Sequence, residues 1–141
     1  MPVPIQENAQ GIDLSSRFGS TTTVAGSPSA ATETIIAQLT LNTDETILSG
    51  VLLRGFAAFT VGTSGTATTL RLRQTNVSGT VIATTGALTG GVTAGNLVAD
   101  TILGVDASPA KTGQTYVLTL QVTGGAAAST VSAVELDATI V

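Results

Sequence analysis

With neither histidine nor cysteine in the chain, acid–base chemistry falls to carboxylates. Six of them stand in the part that reads as folded: Asp44, Glu45, Asp100, Asp106, Glu135 and Asp137. A pair flanking a glycosidic bond is the one catalytic arrangement they allow. Their setting speaks against it, because Asp44-Glu45 reads as a turn and Glu135 and Asp137 as the outer side of a strand. The common nucleophile–base pairs, which need His or Cys, and histidine or thiolate metal sites are excluded by composition. Asn42, Asp44 and Glu45 lack the spacing of a calcium loop. Gly90, Gly91 and Gly95 do not open a helix after a strand, as a phosphate loop requires. Asn76-Val77-Ser78 matches the glycosylation acceptor pattern and reads here as an ordinary turn. The expectation is a protein that is not an enzyme and carries no cofactor or metal.

Partners are narrowed in the same way. A net charge of −4 with five basic residues does not suit a nucleic-acid binder, which places Lys and Arg against phosphates. No apolar run approaches the roughly 20 residues of a membrane span. The start, Met1-Pro2-Val3-Pro4-Ile5-Gln6-Glu7, has neither the basic beginning nor the apolar centre of a secretory signal, so a chain soluble as made is expected. Sugar-binding sandwiches present exposed aromatics, and here the aromatics are Phe18, Phe56, Phe59 and Tyr116. Three of them, Phe56, Phe59 and Tyr116, read as core or interface residues.

The elements that must position any site are organised around Ile47 to Val61. Read as a strand, it points Ile47, Ser49, Val51 and Leu53 one way, and Leu48, Gly50, Leu52, Arg54, Phe56 and Ala58 the other. A bulge near Gly55 is expected to bring Phe59 and Val61 onto the face of Phe56. Both faces are apolar, so both need covers: the chain's own core and a second sheet or another copy. The subunit contact is expected to use Leu48, Leu52, Phe56 and Phe59.

Period-two runs follow along the rest of the chain. Ile35, Ala37, Leu39 and Leu41 share a face, as do Leu70 and Leu72, with Arg71 and Arg73 expected outward on a solvated edge. Asn76 to Gly79 turns that strand back into Thr80–Thr85 as a hairpin. Leu97 to Leu103 fits a strand or a packed loop. Near the carboxyl end, Tyr116, Leu118, Leu120 and Val122 line one face. In the last strand, Ser132, Val134, Leu136, Ala138 and Ile140 line one side. Seven or so short strands without an amphipathic helix predict an all-β, antiparallel β-sandwich, jelly-roll-like or small and barrel-like. Residues 1–33 hold three prolines and no sustained period, and predict an extended N-terminal arm ahead of a β-sandwich domain at 34–141. On that arm Ile5, Ile12, Leu14 and Phe18 are spaced apolar anchors, and a chain starting near Thr34 is expected to fold without it.

A proline-bearing arm before a Thr-, Ala-, Gly- and Val-rich β domain ends in the hairpin Gly113-Gln114-Thr115-Tyr116-Val117-Leu118-Thr119-Leu120 and Val131-Ser132-Ala133-Val134-Glu135-Leu136. In this organisation the chain resembles the capsid decoration (cement) proteins of tailed bacteriophages. It is also similar in style to small phage fibre and head domains. The resemblance implies a structural protein, often a homotrimer, on the outside of the virion, assembled in the host cytoplasm. Its partner would be the major capsid protein, docked through Ile5, Ile12, Leu14 and Phe18. The alternative is a carbohydrate- or receptor-binding β-sandwich module of a phage fibre.

Overall fold

The computed structural model describes residues 20–23 (backbone only), 32–41, 50–62, 67–89, 93–109, 113–124 and 129–140. All regular structure among them is β, in eight strands: β1 (Ser20–Thr23), β2 (Thr34–Thr40), β3 (Val51–Thr60), β4 (Ala67–Gln74), β5 (Val81–Thr84), β6 (Leu97–Asp106), β7 (Thr115–Thr123) and β8 (Thr130–Ile140). They form a five-stranded sheet, β1-β2-β7-β4-β5, and a three-stranded sheet, β6-β3-β8. Every pairing is antiparallel. Two separate sheets facing one core make this a sandwich and not a closed barrel.

The core is aliphatic because the chain has so few rings. Leu39, Leu70, Leu72, Leu118 and Leu120 from the larger sheet meet Val51, Leu53, Phe59 and Leu136 from the smaller one, all nearly inaccessible to water. Tyr116, Leu118, Leu120 and Val122 are buried along β7, the central strand, as their spacing predicts.

Five expectations are corrected. First, β3 alternates without interruption from Val51 to Phe59, and its register with β6 is continuous through Gly55. The irregularity lies on β8, where Ala58 pairs with Ala133 and Phe59 with Val131, leaving Ser132 as the extra residue. Its hydroxyl donates to the Ala58 carbonyl at 3.1 Å. Phe59 therefore points inward with Val51 and Leu53, away from Phe56. Second, a shift between Ile35 and Ala37 on β2 puts Ile36 in the core and pairs Ile35 with Thr119 on the other side. Third, β4 lies between β7 and β5, so Arg71 and Arg73 do not guard an edge. Fourth, β7 and β8, expected as a hairpin, lie in different sheets and do not pair, while Leu97 to Leu103, open between strand and packed loop, belongs to the full strand β6. Fifth, the boundary at residue 34 cuts through the domain, since β1 pairs with β2 from Ser20↔Thr40 to Thr23↔Ala37.

Glu33 marks that boundary chemically. Its carboxylate accepts from Arg73 Nε at 2.6 Å and Nη2 at 2.9 Å, and from the buried Thr119 hydroxyl. Arg71 Nη1 stands 3.2 Å away and also donates to Gln121. Burial would raise the Glu33 carboxyl, but the hydrogen bonds from Arg73 and Thr119, with the charge of Arg71, outweigh it and lower it below the usual range. A depressed carboxyl stabilises the fold above its unfolded value and loses that contribution as pH falls through the folded one. Glu33→Gln should therefore cost about 1–3 kcal/mol near neutrality and weaken the dependence of stability on pH below about 4.5. A chain starting at Thr34 loses Glu33 and the β1 pairing together, so its thermal midpoint should fall, while one starting at Gly19 keeps both. Urea titrations of the three variants, at pH 7 and pH 4, check this.

Candidate functional site

Outward positions on the three-stranded sheet form a largely apolar face. Strict alternation on β6 sends Ile102, Gly104 and Asp106 toward the core and Leu97, Ala99, Thr101, Leu103 and Val105 toward water. Leu97, Leu103 and Val105 are 67%, 65% and 55% exposed, values that single out this strand. The register places Val105 beside Leu52, Leu103 beside Arg54, and Thr101 beside Phe56. On the other flank Asp137 pairs with Arg54 and Glu135 with Phe56.

Arg54 is the cation of this face. Its guanidinium donates to Asp137 Oδ2 through both Nε, at 3.1 Å, and Nη2. That bond and the charges of Asp137 and Glu135 raise its affinity for its proton, so it stays charged. At the open edge of β6 the Thr101 N–H goes to the Asp100 carboxylate, 2.9 Å away, and not across to another strand. A carboxylate holding an edge amide resists the addition of a further strand.

Of the residues expected at a subunit contact, Leu52 and Phe56 lie on this face, exposed and half-buried respectively. Phe59 does not, being 1% exposed within the core. Leu48 lies outside the described residues, as do Ile5, Ile12, Leu14 and Phe18. Sequence reasoning missed Leu97, Leu103 and Val105. Their period-two spacing was the available signal, obscured because the intervening residues, Val98, Asp100, Ile102, Gly104 and Asp106, are no more apolar.

The described carboxylates do not converge. Asp106 is buried between the sheets, where its Oδ2 accepts from the Tyr116 hydroxyl at 2.9 Å and from Gln74 Nε2 at 2.6 Å. Its Oδ1 accepts from the Ser108 amide. Glu135 and Asp137 stand on the opposite, outward side of the small sheet. Asp44 and Glu45 lie outside the described residues. Among the described residues no three acidic side chains gather as metal ligands would. Asp106 ties β6 of one sheet to β4 and β7 of the other.

No family model matches the chain, and no curated protein matches it significantly. Solved structures do. A pilus protein of Bacillus endospore appendages is 17% identical, with 89% of this chain and 90% of that one covered, at a TM-score of 0.42. A protein of the infectious bursal disease virus Gx strain is 20% identical over 86% of this chain and 32% of that one, at 0.46. A carbohydrate-binding module, CBM4, is 16% identical over 87% and 91%, at 0.43. The likeness is one of all-β architecture.

Proposed function

We propose that this is a non-enzymatic structural protein that binds the outside of a bacteriophage capsid and clamps neighbouring major-capsid subunits. The observation that carries the reading is the outward sheet face, whose Leu97, Leu103 and Val105 are more than half exposed on a well-packed domain. Exposed apolar surface of this kind marks an interaction site. The dispersal of the described carboxylates supports the non-enzymatic part. The resemblance in organisation supplies the capsid, its major subunit and the place on the virion exterior.

In this reading Ile5, Ile12, Leu14 and Phe18 strap the protein to its partner. Each fully buried anchor contributes roughly 1.5–3 kcal/mol, while ordering the backbone costs about 1–2 kcal/mol per residue. The strap therefore needs backbone hydrogen bonds as well as side-chain burial. Binding that selects the assembled shell stabilises it by mass action.

Mixing the full chain with undecorated capsids and imaging by electron microscopy tests the reading. Added density at fixed capsid positions is expected. Density that is equally strong with a chain starting at Gly19 removes the strap, and its absence with the intact chain removes the capsid. A second reading, a sugar-binding fibre module, is favoured by Phe56, half-exposed beside Arg54, Glu135 and Thr101 as a ring for a sugar to stack on. Glycan binding lost in Phe56→Ala, without capsid binding, would establish that reading instead.

A further inference from the structure

We infer that the outward face of the three-stranded sheet pairs with the same face of a second copy, giving a weak two-fold dimer. Three features of the face point to this occupant. The first is where the exposure falls. Leu52, Leu97, Leu103 and Val105 share this one side of the small sheet. Among the described residues, the remaining large exposed apolar ones, Val77, Val81 and Leu88, belong to the β4–β5 hairpin and the segment after it, in the other sheet. A patch that meets itself is isologous and closes at two copies, whereas a ring of three needs a second, different patch complementary to the first. Among the described residues the homotrimer implied by the resemblance thus has less to build on than a dimer.

The second feature is charge. Arg54 and its ion-pair partner Asp137 lie on neighbouring strands in one row of the face, with Glu135 one row further along β8. The Arg54 side chain is 64% exposed and retains reach beyond its own sheet. The face carries one cation and two carboxylates, and a two-fold contact can set the exposed Arg54 guanidinium of each copy against Glu135 of the other, offsetting the surplus negative charge.

The third is the area and the mode of contact. With β3 and β6 each ten residues long, at about 3.3 Å per residue and about 4.8 Å between strands, the face measures roughly 33 by 14 Å, on the order of 450 Å² per copy. Two such faces bury on the order of 900 Å², close to the roughly 1,000 Å² at which specific contacts begin. That suits a concentration-dependent dimer and not an obligate one. Asp100, by holding the Thr101 amide, disfavours edge-to-edge extension of the sheet through β6 and leaves face-to-face packing as the available mode.

Sedimentation equilibrium of the full chain over about 1–100 µM, a range spanning the weak end of such interfaces, reads the outcome directly. A monomer–dimer equilibrium is expected. Leu103→Lys should weaken it by roughly tenfold or more, since two charges would be buried at the contact, with the thermal midpoint unchanged because the side chain already faces water. Should that variant lose its fold, Leu97→Lys at the far end of β6 repeats the test. Val81→Lys, on the other sheet, should dimerise like the parent chain. The inference is overturned by a parent chain that stays monomeric, by a trimer mass, or by folded Leu103→Lys protein that still dimerises normally. Loss of dimer in Val81→Lys would also overturn it. Both readings draw on this face, so a dimer that docks intact leaves the capsid contact to the arm. Self-association is read with no capsid present and capsid binding on whole shells, so failure of one is told apart from failure of the other.

Discussion

Leu118→Ala is expected to lower stability by roughly 2–5 kcal/mol, because it empties the middle of the core beneath β3. Leu118 is fully buried on the central strand of the larger sheet. Across the sandwich it faces Gly55, where a Cβ would lie 2.9 Å from Leu118 Cδ1 and 2.9 Å from Ile102 Cγ2. The absent side chain at 55 is thus the space that Leu118 fills. Gly55→Ala alone should overpack the site at a cost of roughly 1–3 kcal/mol. The two changes together should destabilise by less than their sum, with a coupling of about 0.5–3 kcal/mol, because the new methyl enters part of the new cavity. Thermal unfolding measures this well, at roughly 3–4 °C per kcal/mol for a chain of this size. Strict additivity would mean that the sheets do not meet at these residues.

Raising the pH above about 10 should unfold the protein through a single side chain, Tyr116. Its ring is fully buried and its hydroxyl donates to the buried Asp106 carboxylate. Burial, then the hydrogen bond to Asp106 and the charge of that carboxylate, push the phenol far above its ordinary value. A group whose folded value is raised stabilises fully below its unfolded value and loses that contribution as pH climbs toward the folded one. Between those limits stability should fall by about 1.4 kcal/mol per pH unit. The chain has a single tyrosine and no cysteine or histidine, so the near-ultraviolet signal of tyrosinate reports this residue alone. Ionisation should coincide with loss of the sheet signal in circular dichroism. Tyr116→Phe should cost about 1.5–3 kcal/mol at neutral pH by removing a hydrogen bond to a charged acceptor, and should abolish most of the alkaline slope. A tyrosinate signal that appears near pH 10 with the fold intact would refute the cross-sheet bond.

Composition and period alone determined that this chain is an all-β sandwich with an aliphatic core. Side chains alternate in a strand whatever it packs against, so Leu118, Leu120, Leu70 and Leu72 declared their inward face locally. The period could not show where alternation slips. Extra residues at Ile36 and Ser132 are set by what the neighbouring strand offers, and each one moves a predicted face. Nor could it decide which side of β6 is wet. Asp106 is polar yet buried, because Tyr116 and Gln74 from the opposite sheet reach its carboxylate. Leu103 and Val105 are apolar yet exposed, because none of the described elements covers the outward face of the three-stranded sheet. The same holds for Arg71 and Arg73, which read as solvent-facing by alternation. Tertiary structure brings Glu33 over them from 40 residues away in the chain, and turns an expected surface into a half-buried ion cluster. Strand order and register decided each of these, because hydrogen bonds between distant strands set which side chains meet, and no local pattern encodes them.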